Sequence, residues 1–309
     1  MGKAQTATEI ASGPETEEAL EYLSRSERAV NRALNAFLPK ASVKPQRLHQ
    51  AMRYSLFAGG KRVRPALCLA AAETCGGDWE RAMPAACAVE CVHTYSLIHD
   101  DLPAMDDDPV RRGKPANHIV FGEGIAVLAG DALLTIAFEI LAQAQPAERY
   151  SAAAYVAELA RAAGSQQLVG GQAADLEAEG KTVSLRELRY IHERKTSALL
   201  ACSVRLGAMS ANASPETLAL LSAFGRDVGL AFQVIDDILD VTQPTEKLGK
   251  TAGKDAQAAK ATYPALLGLD GAYREARRLT ARAFRAIEPL GSRAAALRAL
   301  AKFILNRDR

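Results

Sequence analysis

Apolar residues recur at three- and four-residue spacing along almost the whole chain, and that period admits a helical fold and little else. Ala29, Ala33, Ala36 and Phe37 form one such stripe, and Leu218, Leu221, Phe224, Val228 and Phe232 form another. Good helix formers (Ala, Leu, Glu, Arg) dominate the stretches between Gly and Pro. Those breakers fall at Gly59-Gly60, Pro65, Gly76-Gly77, Gly113 to Pro115, Gly170-Gly171, Pro215 and Pro264. No segment sustains the alternation of a half-buried strand, and no repeat of fixed period is present. The expected fold is all-α. After a loose polar tail at 1–15, one large helical bundle covers 16–309 around a central apolar cavity. The break near Ala144–Pro146 divides halves of the same character, so one domain is expected rather than two.

Composition narrows the function. The 38 Lys and Arg nearly balance the 36 Asp and Glu, which argues against general nucleic-acid binding. Any bound anion must therefore meet a few local cations. The five cysteines (68, 75, 87, 91 and 202) form no CxxC pair and read as small buried hydrophobes in a reducing compartment. The most apolar stretch, Gly124 to Ala144, is long enough to span a bilayer, but Asp131 near its middle favours a core helix. With no secretory signal pattern at the N-terminus, a cytoplasmic protein without stable membrane association is expected.

Two aspartate clusters carry the chemistry. In Phe232-Gln233-Val234-Ile235-Asp236-Asp237-Ile238-Leu239-Asp240, Asp236 and Asp240 are one helical turn apart and share a face with Gln233. Carboxylates crowded against apolar surface repel one another, and a hard divalent cation resolves the conflict. Magnesium is the natural occupant, because it takes one or two carboxylates plus waters and substrate phosphates.

The first cluster lies in His93-Thr94-Tyr95-Ser96-Leu97-Ile98-His99-Asp100-Asp101-Leu102-Pro103-Ala104-Met105-Asp106. On an ideal helix, at roughly 100° per residue, Asp106 would point about 120° away from Asp100. Pro103 cannot sit quietly inside a helix. The helix is therefore expected to end just after Asp101 and let Asp106 turn back beside Asp100. Arg111-Arg112, Gly113 and Lys114 follow at once. Acids for metal beside guanidinium forks suit a metal–diphosphate.

Further basic pieces are Gly59-Gly60-Lys61-Arg62-Val63-Arg64-Pro65, Glu193-Arg194-Lys195-Thr196, and the Gly- and Lys-rich run from Lys247 to Lys254 with Lys260 beyond it. No nucleophile elbow, Rossmann glycine pattern or P-loop is present.

In this order, GGKRVRP, HTYSLIHDDLPAMDDDPVRRGKP, GGQAADLEAEGK, ERKT, FQVIDDILD, KLGK and ATYPALLGL resemble the trans-isoprenyl diphosphate synthases, most of all the bacterial farnesyl diphosphate synthases. The resemblance spans roughly residues 20 to 305. It implies an all-helical, isoprenoid-synthase-like bundle, usually a homodimer. It implies a head-to-tail prenyltransferase that joins isopentenyl diphosphate to dimethylallyl and geranyl diphosphates, giving farnesyl diphosphate.

It also implies roles for individual residues. Asp100, Asp101 and Asp106, with Asp236, Asp237 and Asp240, would hold three magnesium ions, manganese being a substitute. Arg111, Lys195 and Lys250 would grip the allylic diphosphate. Lys61, Arg64, His93 and Arg112 would hold isopentenyl diphosphate without metal. Thr196, Gln233 and the Lys195 carbonyl would face the carbocation, and Gln172, Asp175 and Lys260 would support the allylic side. Tyr95, five residues before Asp100, would set the cavity floor and so the chain length, although helix geometry puts Ser96 directly one turn below Asp100. Geranyl or geranylgeranyl products within the same family are the main alternatives. A class I terpene cyclase would not need the GGKRVRP loop, and a non-catalytic regulatory homologue would be expected to lose one aspartate cluster.

Overall fold

The computed structural model describes residues 14–242 and 261–306. The helices are α1 (Pro14–Phe37), α2 (Gln46–Leu56), α3 (Val63–Thr74), α4 (Trp79–Asp100), α5 (Asn117–Phe121), α6 (Glu123–Ala142), α7 (Ala152–Ala163) and α8 (Leu168–Ala178). They continue with α9 (Leu185–His192), a π-turn (Glu193–Ser197), α10 (Ala198–Ser210), α11 (Pro215–Thr242), α12 (Tyr263–Ile287, kinked at Gly268), a 3₁₀ segment (Glu288–Ala294) and α13 (Ala295–Leu305). The expected tail lies almost wholly outside the described residues, and α1 begins at Pro14.

Local chemistry sets several helix starts. Asp78 accepts the Arg81 backbone N–H at 2.9 Å to cap α4, and Ser151 caps α7. Ser184 and Glu187 cap α9 reciprocally. Thr262 accepts the Ala265 N–H and starts α12, with Pro264 in its first turn.

The Leu221–Phe224–Val228 stripe is buried, with Leu218 and Phe232 partly so, as the spacing predicts. The α1 stripe is displaced. Its buried face is Leu23, Val30 and Leu34, with Leu38 just past its end, rather than Ala29, Ala33, Ala36 and Phe37. The branched side chains remove far more apolar area from water than alanines do, so they set the face.

The expectation of helices alone misses one element. An antiparallel hairpin pairs β1 (Val110–Arg111) with β2 (Lys114–Pro115) around Arg112 and Gly113, both at positive φ. Two-residue strands are too short to show alternation, and the turn is the only signal.

Long α6 and α11 are apolar enough to cross a membrane by length and composition. In α6, Ala126, Ala129, Gly130, Leu133, Ala137, Ile140 and Leu141 face the core, so the core-helix expectation holds for one face; Val127 and Leu128 on the other are exposed. Core residues from both sides of the Ala144–Pro146 break pack in one cluster, with Val92, Leu133, Leu159 and Leu206 among them.

Candidate active site

Helices α4, α8, α10 and α11, with the π-turn, enclose a cavity of about 360 Å³. Asp100, Asp106, Asp175, Asp236 and Asp237 line it, with Arg64, His93, Arg111 and Lys195 among them. Leu97, Leu168, Leu199 and Phe232 supply its apolar wall.

The first cluster folds as its proline requires. Helix α4 ends at Asp100 and Asp101 caps it. The chain then doubles back until the Asp106 N–H meets the Asp100 carbonyl at 2.8 Å, while the Asp108 N–H meets the Asp101 carbonyl at 3.2 Å. Asp106 thus comes beside Asp100. Asp101 turns the other way: buried, and not part of the cavity lining, it accepts from Arg111 Nε and Nη2 at 2.9 and 2.5 Å.

The second cluster also divides. Asp236 lines the cavity. Asp237 borders it, but its Oδ1 accepts from Gln233 Nε2 at 3.2 Å and its Oδ2 from the Tyr263 backbone N–H at 3.0 Å. Asp240, expected beside Asp236, is buried and does not line the cavity. The cavity's stretch of α11 ends with Asp236 and Asp237, so Asp240, about 6 Å further along the helix, lies beyond it.

The basic residues sort similarly. Arg64 and His93 line the cavity, and Arg64 Nε is buried without a partner among the described residues. Burial lowers the Arg64 pKa to about 10. Burial, then the charges of Arg64 and Arg112, hold His93 well below its ordinary value, so it is neutral. Lys61 is exposed, its ammonium 4.9 Å from the Phe303 ring centroid. Its neighbour Arg62 takes the inward position, pairing with buried Glu90 at 2.6 Å. Arg112 sits on the hairpin turn, donates to the Gly59 carbonyl, and lines a small adjacent cleft. Lys250 and Lys260 lie outside the described residues.

Lys195 sits in the π-turn and donates to Asp175 Oδ2 at 2.6 Å. Burial opposes its charge, but Asp175 and Asp100 outweigh burial and raise its pKa. Helix α8 approaches so closely that a Cβ on Gly171 would lie 2.2 Å from the Lys195 backbone nitrogen, so only glycine fits there. Thr196 donates to Gln233 Oε1 at 2.9 Å. Thr196, Gln233 and Asp237 thus form one chain of hydrogen bonds anchored on the Tyr263 N–H. Asp175 lines the cavity, whereas Gln172 is not in the lining.

Ser96 lines the cavity and Tyr95 does not. The Tyr95 ring is buried edge-on to His99, centroids 5.7 Å apart. Sequence reasoning missed His192, Leu168, Leu199 and Thr262. His192 stands one turn before Lys195, a spacing that could have flagged it. Burial lowers its pKa to about 4.

The donor set fits magnesium. Burial pushes Asp100 up to about 6, with Asp106 adding repulsion against the pull of Lys195, so these carboxylates call for a cation. Among the described residues no three ligating side chains form a closed cage.

Comparison with known proteins agrees with this geometry. The family model described as polyprenyl synthetase matches residues 45–295. Geranylgeranyl pyrophosphate synthase of Capsicum annuum is 52% identical over 93% of this chain and 78% of its own. A dimethylallyltranstransferase of Fischerella ambigua is 49% identical over 93% of this chain and 83% of its own. The solved structure of an FPP/GFPP synthase from Zymomonas mobilis superposes with a TM-score of 0.81 at 36% identity, covering 93% of this chain and 99% of that one. On these grounds the chain belongs to the polyprenyl synthetase family and is a trans-prenyl diphosphate synthase.

Proposed function

We propose that this enzyme condenses isopentenyl diphosphate with dimethylallyl and then geranyl diphosphate and releases farnesyl diphosphate. The observation that carries the reading is one cavity in which Asp100, Asp106 and Asp236 meet Arg64, Arg111 and Lys195 above an apolar wall.

Asp100 and Asp106 on one arm and Asp236 on the other would hold magnesium, three ions in all, against the allylic diphosphate. When bound, the metal supplies charge neutralisation that turns diphosphate into a competent leaving group. Lys195 and Arg111 supply cations from the protein side, strongest where charge builds on the departing oxygens. Arg64 and neutral His93 donate to the second diphosphate, with Lys61 and Arg112 at the rim and no metal required.

Thr196 commits its proton to Gln233, which leaves its oxygen lone pairs available to the developing carbocation. Leu168, Leu199 and Phe232 keep water from that cation. No protein base is assigned; the departed diphosphate takes the proton.

A ring at Tyr95 favours a fifteen-carbon product. The relatives named as geranylgeranyl synthases favour a twenty-carbon product as the second reading. A homodimer fits the apolar residues that α5 and α6 leave exposed, Ile119, Val120, Val127 and Leu128. We read the enzyme as cytoplasmic, with small diphosphates rather than nucleic acid or membrane as partners. The deciding experiment incubates it with both five-carbon diphosphates, with and without magnesium, and measures chain length. A magnesium-dependent fifteen-carbon product is expected; no metal-dependent product overturns the reading.

A further inference from the structure

The π-turn has two sides. Lys195 and Thr196 face the catalytic cavity, while Glu193, Arg194 and Ser197 face a separate groove of about 510 Å³ between α7, α10 and α11. Four arginines line this groove against two glutamates. Glu193 is engaged by Arg189 at 2.9 Å, outside the groove. Glu158 is shared by Arg205, at 2.6 and 3.0 Å, and Arg161, at 3.4 Å.

Arg194 lies over the Tyr190 ring, 3.5 Å from its centroid, and Arg226 reaches the nearest carboxylate, Asp227, only at 3.8 Å. Asp227 in turn meets Arg282 at 3.2 Å. The groove therefore holds more guanidinium charge than its carboxylates balance. The Arg161 and Arg226 side chains remain 72% and 53% exposed, able to swing onto a ligand. Ala162, Ala198, Ala201 and Cys202 supply an apolar strip beside them.

We propose that this groove is a second anion site, which takes a diphosphate group through Arg161, Arg194 and Arg226. Planar guanidinium forks match phosphate oxygens two at a time. The volume accommodates inorganic diphosphate or a prenyl diphosphate whose chain lies along the alanines. The site shares its wall with the catalytic cavity. Ser197 Oγ donates to the Arg226 carbonyl at 2.7 Å, and a Cβ on Gly229 would lie 2.6 Å from the Ser197 Cα. A ligand that draws on Arg194 and Arg226 thus bears on the same five-residue turn that aims Lys195 and Thr196.

The test needs no turnover, so it stands apart from the catalytic reading. Calorimetric titrations in EDTA add inorganic diphosphate or farnesyl diphosphate to the Lys61→Ala/Arg64→Ala enzyme, which loses two of the metal-free contacts of the catalytic cavity and keeps His93, Arg111, Arg112 and Lys195, so that dependence on the groove arginines, and not survival of binding alone, identifies the second site. One binding event is expected to survive there. Adding Arg161→Glu/Arg226→Glu should weaken it by about tenfold or more. Arg161→Gln/Arg226→Gln, which removes charge without adding repulsion, should weaken it in the same direction, and circular dichroism checks the fold of each variant. Tighter binding of farnesyl diphosphate identifies a prenylated ligand, and equal binding identifies the anion alone. No event in the starting variant, or an event indifferent to both groove pairs, overturns the proposal.

Discussion

Arg111 closes on Asp101 with two hydrogen bonds, 2.9 and 2.5 Å, and so takes the second aspartate of the first cluster out of the cavity. Asp100 and Asp101, adjacent in sequence, therefore do different work. Asp101 is 3% exposed and holds the guanidinium in place. Asp101→Asn leaves the half-buried Arg111 guanidinium short of its partner and is expected to cost about 1–2 kcal/mol of stability. It should raise the allylic KM through Arg111 while leaving the magnesium requirement nearly unchanged. Asp100→Asn should do the reverse. It removes a carboxylate whose charge burial already disfavours, so metal-free stability holds or rises, while turnover falls about a hundred- to a thousandfold. Denaturant melts and magnesium-dependent kinetics on both variants check this. Equal magnesium dependence in the two would contradict the division.

His192 should leave a mark on stability against pH. Burial is the main cause of its lowered pKa of about 4, Asp175 opposing and Lys195 assisting. The unfolded imidazole takes its proton near its ordinary 6.5. Between these values the unfolded chain binds the extra proton, so stability falls as pH drops from about 6.5 to 4, by about 3 kcal/mol in all. His192→Gln should flatten that descent. His93 is displaced in the same direction, so part of the slope persists in the variant. Chemical denaturation at closely spaced pH values measures it, and identical slopes with and without His192 would rule the assignment out.

The apolar residues on α5 and α6 predict an assembly. Leu128 on α6 is 52% exposed and Ile119 on α5 56%. Burial against a second copy removes that area from water, so a charge there should be costly. Leu128→Glu is expected to shift the protein from dimer to monomer in sedimentation. A wild-type monomer at micromolar concentration would contradict the dimer.

Much of the fold and of the site was legible in the chain, for identifiable reasons. Helical periodicity fixed α11 well because its stripe is made of Leu, Phe and Val. It misled on α1, where the alanine stripe lies beside the residues that carry the buried area. Pro103 announced the break that brings Asp106 back to Asp100, since covalent geometry allows little else there. Which carboxylates face the cavity was not legible. That depends on partners distant in sequence: Arg111 for Asp101, and the Tyr263 N–H, 26 residues on, for Asp237. Leu168 and Leu199 were equally hidden, because one leucine among many has no local signature until packing chooses it.

Chain length offers the sharpest test, because spacing and family resemblance point to different residues. Ser96 lines the cavity, whereas the Tyr95 ring is buried behind it against His99, its hydroxyl without a partner among the described residues. A growing chain that runs down α4 meets the small Ser96 side chain first and the Tyr95 ring only as a second barrier. Tyr95→Ala should open space behind the wall and shift product toward twenty carbons or more. Because an aromatic side chain is lost from a buried site, it should also cost about 3–5 kcal/mol of stability. Ser96→Phe should fill the wall from the front and stop synthesis at ten carbons. Product chain lengths from the two variants, assayed beside wild type at saturating isopentenyl diphosphate, decide the matter. If Ser96→Phe shortens the product while Tyr95→Ala leaves fifteen carbons unchanged, the floor belongs to Ser96 alone, and the ring at Tyr95 serves packing.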